Sequence, residues 1–237
     1  MDPTIIEDLV AGSRILADQN ILDAFGHVSI RHPTHPDRYL MSRNLAPALV
    51  TADDIIEYDL DSNPLNDNGR RSFLERFIHG EIYRARHDVK AVVHTHSPAV
   101  IPFSVTQTKM RPISQMGSFL ASGVPIFEIR NSGGMTNLLV SNNKLGKALA
   151  ATLGNTSAAL LRGHGNVVVG PSIQIAVARA IYMEGNARLQ VTAMALGGPI
   201  TYVDKEEAEL FDTPFQQQIQ RPWDLWKSKV LKASKKE

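Results

Sequence analysis

Two of the eight histidines, His94 and His96, stand one residue apart in KAVVHTHSPAV. The β-branched run before them reads as a strand that Ser97-Pro98 ends. On a strand, residues i and i+2 project from one face about 7 Å apart, so both imidazoles can converge on one ion. A core histidine with a hydrogen-bonded neighbour is the competing reading of this pair taken alone. A third histidine, His164, lies between glycines in RGHGN, where the backbone can turn tightly and approach another group. Three imidazoles are the nitrogen set of a catalytic metal site that keeps one coordination position open.

Glu75 is expected at the start of a helix over 73–86, FLERFIHGEIYRAR, immediately before the histidine strand. From there its carboxylate could reach the same ion or a substrate bound to it. Its helical column, Ile78, His79 and Ile82, is partly apolar, which predicts a raised pKa in the range of a general acid/base. An exposed glutamate paired with Arg71 or Arg76 is the alternative.

The elements that must carry these residues follow from periodicity. Ile5, Ile6, Leu9, Val10, Leu16 and Ala17 fall at helical spacing, giving an amphipathic first helix. AFGHVSIR and RYLMS read as extended runs joined by the proline-containing loop HPTHPD. Residues 59–70 form a polar turn region. VPIFEI reads as a strand, NNKLGKALAATLG as a helix closed by glycine, and AALLRGHGNVVVG as two strands around a tight turn. A long helix follows from Ser172 to Leu196. Interleaved helices and strands with short turns predict an α/β fold with a mixed or largely antiparallel sheet. One domain is expected over 1–237, with a flexible basic tail from about 227.

Composition narrows the class of function. The formal charge is +1, from 25 basic and 24 acidic residues, so no overall field draws the chain to nucleic acid or an anionic membrane. A small-molecule partner is the expectation. Cysteine is absent, which leaves imidazole and carboxylate as the metal ligands. The start, MDPTIIEDLV, is acidic where a signal peptide is basic, and no apolar run approaches the roughly 18 residues of a membrane span. A soluble, cytoplasmic protein is expected.

GHVSIR near the amino end, a glutamate 19 residues before HTH, and LRGHG about 70 residues after it together resemble the class II aldolase/adducin family. The resemblance runs over roughly residues 5 to 210. It implies an α/β/α sandwich with a central mixed, mainly antiparallel sheet. It also implies a divalent metal, Mn2+ or Zn2+, held by His94, His96 and His164. Glu75 then supplies acid/base chemistry and in some members a fourth ligand. A homotetramer or higher homo-oligomer with sites at subunit contacts is the implied assembly.

The departures narrow this further. Sugar-phosphate aldolases of the family read GNxS where this chain has GHVS, so His27 replaces a phosphate-binding asparagine. Their serine pair before the glutamate is here Phe73-Leu74, and each lost donor would cost a phosphate about 1 to 3 kcal/mol. GHVSIR, ERFIHGEIYRARHDVKAVVHTHSP and AIYMEGNARLQ resemble instead the decarboxylase branch, which acts on hydroxylated aromatic or pyridine carboxylates. The substrate this implies is 3-hydroxy-2-methylpyridine-4,5-dicarboxylate, from vitamin B6 breakdown. His27, Ser42 and Arg43 lie in the segments where the family places its anion-binding groups. Two rivals remain at this stage: an aldolase cleaving an unphosphorylated hydroxy-keto acid, and a non-catalytic adducin-like scaffold.

Overall fold

The computed structural model describes residues 3–233. Its strands are β1 (His27–Arg31), β2 (Arg38–Ser42), β3 (Ile55–Asp59), β4 (Ala91–Thr95), β5 (Ile126–Phe127), β6 (Ala158–Leu161) and β7 (Gly165–Gly170). The α-helices are α1 (Pro3–Asp18), α2 (Phe77–Ala85), α3 (Ile101–Val105), α4 (Arg130–Gly133), α5 (Asn143–Leu153), α6 (Ile173–Leu196), α7 (Lys205–Gln218) and α8 (Gln220–Ala233). The strands form one sheet in the order β3-β2-β1-β4-β7-β6-β5. Every pairing is antiparallel except β5 with β6, so the sheet is mixed and mainly antiparallel.

Side-chain alternation along the strands sends the sheet's residues into two apolar layers. Val28, Ile30, Leu40, Ala91, Val93 and Val168 join the core built with α1, α6 and Trp223 of α8. Tyr39, Met41, Val92, Val167 and Val169 join the core built with α2 and α5. This is the α/β/α sandwich that the sequence implied. His94 falls two residues after Val92, and His27 and Ser29 alternate with Val28 and Ile30. All three therefore belong to the face covered by α2.

Antiparallel order also gathers the chemistry at one end of the sheet. His27 opens β1, Ser42 closes β2, His94 and Thr95 close β4, and Gly165 opens β7. In register, His27 sits opposite His94 and Thr95 opposite Asn166.

Three expectations require correction. The helix foreseen from Phe73 begins at Phe77, and Glu75 lies in the turn before it. The reason is a local competition for hydrogen bonds: the Phe73 carbonyl accepts from Arg76 Nη1 at 2.9 Å, while Tyr39 Oη and Ser62 Oγ both donate to the Arg76 carbonyl. The edge strand β3 forms where no strand was foreseen; its run IIEYD lacks clean alternation because Ile55 and Ile56 are both buried. The basic tail expected from about 227 instead continues α8 to Ala233, with residues 234–237 outside the described ones. Trp223 and Val230 are buried, and Lys227 Nζ bonds Glu7 Oε1 at 2.6 Å and Asp8 Oδ1 at 2.7 Å, tying α8 to α1. No helix among the described residues is long and apolar enough to cross a membrane.

Candidate metal centre

Glu75, His94, His96 and His164 each offer one ligand atom, and these atoms lie within 4.8 Å of one another. Glu75 Oε2 is 3.5 Å from His94 Nε2 and 3.4 Å from His164 Nε2, and the His96 and His164 Nε2 atoms are 3.0 Å apart. Three separate segments make this meeting. β4 supplies His94 and, one residue past its end, His96. The β6–β7 turn supplies His164, and the turn before α2 supplies Glu75.

Two glycines let the His164 turn come this close. Gly163 adopts φ +64°, a left-handed conformation that side chains resist. A Cβ on Gly165 would collide with the Thr95 carbonyl oxygen of β4.

Backbone carbonyls decide which ring nitrogens face inward. His94 Nδ1 lies 3.1 Å from the Asn166 carbonyl, and His164 Nδ1 lies 3.1 Å from the Leu138 carbonyl. A carbonyl can only accept, so each Nδ1 carries the proton and each Nε2 presents a lone pair to the cluster. His94 Nε2 is fully buried and has no hydrogen-bond partner. Unprotonated nitrogens facing a carboxylate oxygen repel one another unless a cation lies among them. The donor set therefore fits a divalent ion.

Glu75 corrects a further expectation. Burial pushes its carboxyl up, but positive charge gathered at Oε2, from protons on the His164 and His94 rings or from a cation in their place, outweighs burial and holds it well below the usual carboxylate range. Its other oxygen accepts the Val140 backbone N–H at 2.8 Å. The raised pKa read from an apolar helical column does not arise, because Glu75 sits off the helix and among imidazoles. The His96 ring is lowered to about 4, by burial first and then by its histidine neighbours.

Around the cluster, His27 is buried with its ring centroid 5.1 Å from that of His94 and 4.6 Å from that of Phe73. The Phe73-Leu74 pair splits: Phe73 is buried against His27, whereas Leu74 is 63% exposed. Ser42 is buried at the end of β2. Arg43 follows it, half-exposed, with Nε bound to Asp54 Oδ1 at 2.5 Å, and neither residue joins the ligand set.

A family profile described as Class II Aldolase and Adducin N-terminal domain matches residues 7–191. The chain belongs to the class II aldolase/adducin family. Within it, the chain is 34% identical over 248 residues to "Decarboxylase tropJ" of Talaromyces stipitatus, covering 95% of this chain and 93% of that one. It is 30% identical over 235 residues to the "3,4-dihydroxyphthalate decarboxylase" of Arthrobacter keyseri, covering 92% and 90%. Among solved structures, the L-fuculose 1-phosphate aldolase from Glaciozyma antarctica superposes with a TM-score of 0.80 at 24% identity, covering 99% of this chain and 91% of that one, a likeness of fold.

Against the family pattern read from sequence, several groups at this class II aldolase-type cluster went unforeseen. Phe25, 65% exposed, lies with its ring centroid 6.3 Å from that of His96. Asn166, Leu138 and Val140 orient His94, His164 and Glu75 through backbone atoms, which leave no trace in side-chain type. His79 was visible only as a polar residue in a buried helical stripe.

Proposed function

We propose that this chain is a divalent-metal-dependent decarboxylase of hydroxylated aromatic or pyridine carboxylates. The observation that carries this reading is the set of inward-facing imidazole nitrogens and one ionised carboxylate, with Phe73 and His27 beside it where sugar-phosphate aldolases need polar phosphate ligands. Two relatives named as decarboxylases, one of them for a hydroxylated aromatic dicarboxylate, support the same class.

His94, His96, His164 and Glu75 would hold the ion, which when bound supplies Lewis acidity toward a ring hydroxyl and its ortho carboxylate. Glu75, an ionised acceptor, takes the proton of that hydroxyl. The ring carbon–carboxylate bond then breaks, carbon dioxide leaves, and the electron pair stays on the ring carbon. Glu75 returns its proton to that carbon, and the ring oxygen takes a proton from solvent, so one proton is consumed for each carbon dioxide released. His27 donates to a substrate oxygen, and Phe73 offers an aromatic surface behind it. Ser42 and Arg43, at the same end of the sheet, receive a second carboxylate through the Ser42 hydroxyl and the Arg43 amino groups that Asp54 leaves open.

This pattern, a hydroxyl ortho to the departing carboxylate with a second carboxylate beyond, includes 3-hydroxy-2-methylpyridine-4,5-dicarboxylate and 3,4-dihydroxyphthalate. The test is a screen of such acids for carbon dioxide release with saturating Mn2+ or Zn2+. Removing the hydroxyl should cost more rate than removing the second carboxylate, since only the first carries developing charge. Equal rates without the hydroxyl would sink the mechanism, and aldol products without carbon dioxide would return the chain to aldolase chemistry.

A further inference from the structure

A buried file of side chains runs from beside the cluster into the α2 layer. His27 Nδ1 lies 2.6 Å from His79 Nε2, His79 Nδ1 lies 2.6 Å from Ser29 Oγ, and Ser29 Oγ lies 2.8 Å from Tyr83 Oη. His27 and Ser29 come from β1, His79 and Tyr83 from α2, and all four are buried. No function assigned so far uses His79, Ser29 or Tyr83.

The file has one consistent direction. Among the described residues the Tyr83 phenol oxygen meets one side-chain partner, Ser29 Oγ. Burial raises the phenol pKa well above its ordinary value, so it keeps its proton. Ser29 Oγ is the acceptor within reach of that O–H. Having accepted, Ser29 turns its own hydroxyl proton to His79 Nδ1. His79, held neutral by burial with its pKa down at about 3, then carries its proton on Nε2 and donates it to His27 Nδ1. The reverse direction would leave the Tyr83 O–H with no acceptor in this buried setting, at the cost of an unmade hydrogen bond.

We propose that His79, directed by Ser29 and Tyr83, is a positioning residue that fixes His27 in the tautomer with its proton on Nε2, making His27 a hydrogen-bond donor to a substrate oxygen. The His27 Nε2 edge makes no hydrogen bond among the described residues, and its ring neighbours that of His94. The donor role rests on the functional reading above, whereas the tautomer does not. A histidine that could turn either nitrogen outward would meet a carboxylate or phenolate with a lone pair in part of the molecules. Fixing the tautomer removes that repulsive population before substrate arrives.

The experiment is a long-range proton–nitrogen correlation spectrum of 15N-labelled, zinc-loaded and metal-free protein, with His27→Gln and His79→Gln spectra to assign the rings. The expected result is a protonated Nε2 and an unprotonated Nδ1 for both His27 and His79; a proton on His27 Nδ1 overturns the relay. Tyr83→Phe, which keeps the ring and removes only the group that sets direction, should give a mixed His27 tautomer. It should raise KM for the hydroxy acid on the order of tenfold, change kcat by less than about threefold, and leave metal content unaltered. An unmixed tautomer with unchanged KM in that variant also overturns the relay. The two readings fail separately. Absence of carbon dioxide release by the wild-type enzyme removes the proposed function, while the wild-type tautomer, measured without substrate, decides the relay.

Discussion

Two buried polar rows, one on each side of the sheet, use similar chemistry to opposite ends. On α6, Asn186 accepts the Ile113 N–H at 2.8 Å and donates to the Arg111 carbonyl at 2.9 Å. Gln190 accepts the Arg111 N–H at 2.9 Å and donates to the Lys109 carbonyl at 2.8 Å. Each amide satisfies backbone groups of one irregular segment, and neither amide is left unpaired. The α2-side row differs in kind: three of its four members, His27, His79 and Tyr83, are titratable, they bond largely to other side chains, and it ends beside a buried nitrogen with no partner. A polar row closed on backbone is structural cement, whereas one ending in an unpaired atom is arranged for a ligand.

The comparison breaks most sharply at the ligands. His96→Ala should lower bound metal at least about tenfold and decarboxylation by about 10³ or more, because an open three-imidazole site cannot replace a ligand. Elemental analysis beside a carbon dioxide assay reads both, and full metal content in this variant would remove His96 from the set. Glu75→Gln keeps the shape and removes the charge, so turnover should fall by roughly 10² with a smaller loss of metal. Unchanged turnover would make Glu75 a purely structural acceptor for the Val140 N–H.

The α6 row should respond in stability alone. Asn186→Ala leaves the part-buried Ile113 N–H and Arg111 carbonyl without their partner and should cost about 1 kcal/mol, read by denaturant titration, with metal content unchanged. Metal loss there would erase the distinction between the rows. The smallest effect belongs to a third kind of contact, the Lys227 ion pairs that tie α8 to α1. Burial lowers the Lys227 pKa, but its bonds to Asp8 and Glu7 outweigh burial and leave it above the ordinary 10.5. A raised lysine pKa stabilises the fold below 10.5 and loses that contribution as pH rises through the folded value. Lys227→Met should therefore cost under about 1 kcal/mol at pH 7, and the gap in Tm from wild type should narrow toward pH 11. A gap that widens instead would show that the contact is packing rather than charge.

Much of the site was legible in residue order. Strand spacing put His94 and His96 on one face, glycines marked the His164 turn, and alternation plus short turns implied a mainly antiparallel sheet. These features are local, set by a period of two and by backbone freedom at glycine, so a sequence carries them. The state of Glu75 is different. Its position off the helix and its ionised form depend on Arg76 capturing the Phe73 carbonyl and on two imidazoles arriving from elsewhere in the chain. The last helix escaped for a related reason: α8 reads as a lysine-rich tail until Trp223 and Val230 meet the layer built on α1. The His27–His79 bond joins residues 52 apart on two elements whose packing sets which nitrogens meet. Sequence determined which side chains could do chemistry and which face of a strand they occupy. Only the tertiary structure decided which nitrogen of each ring faces inward and which carboxylate stays charged, because those depend on hydrogen-bond partners and burial supplied by distant segments.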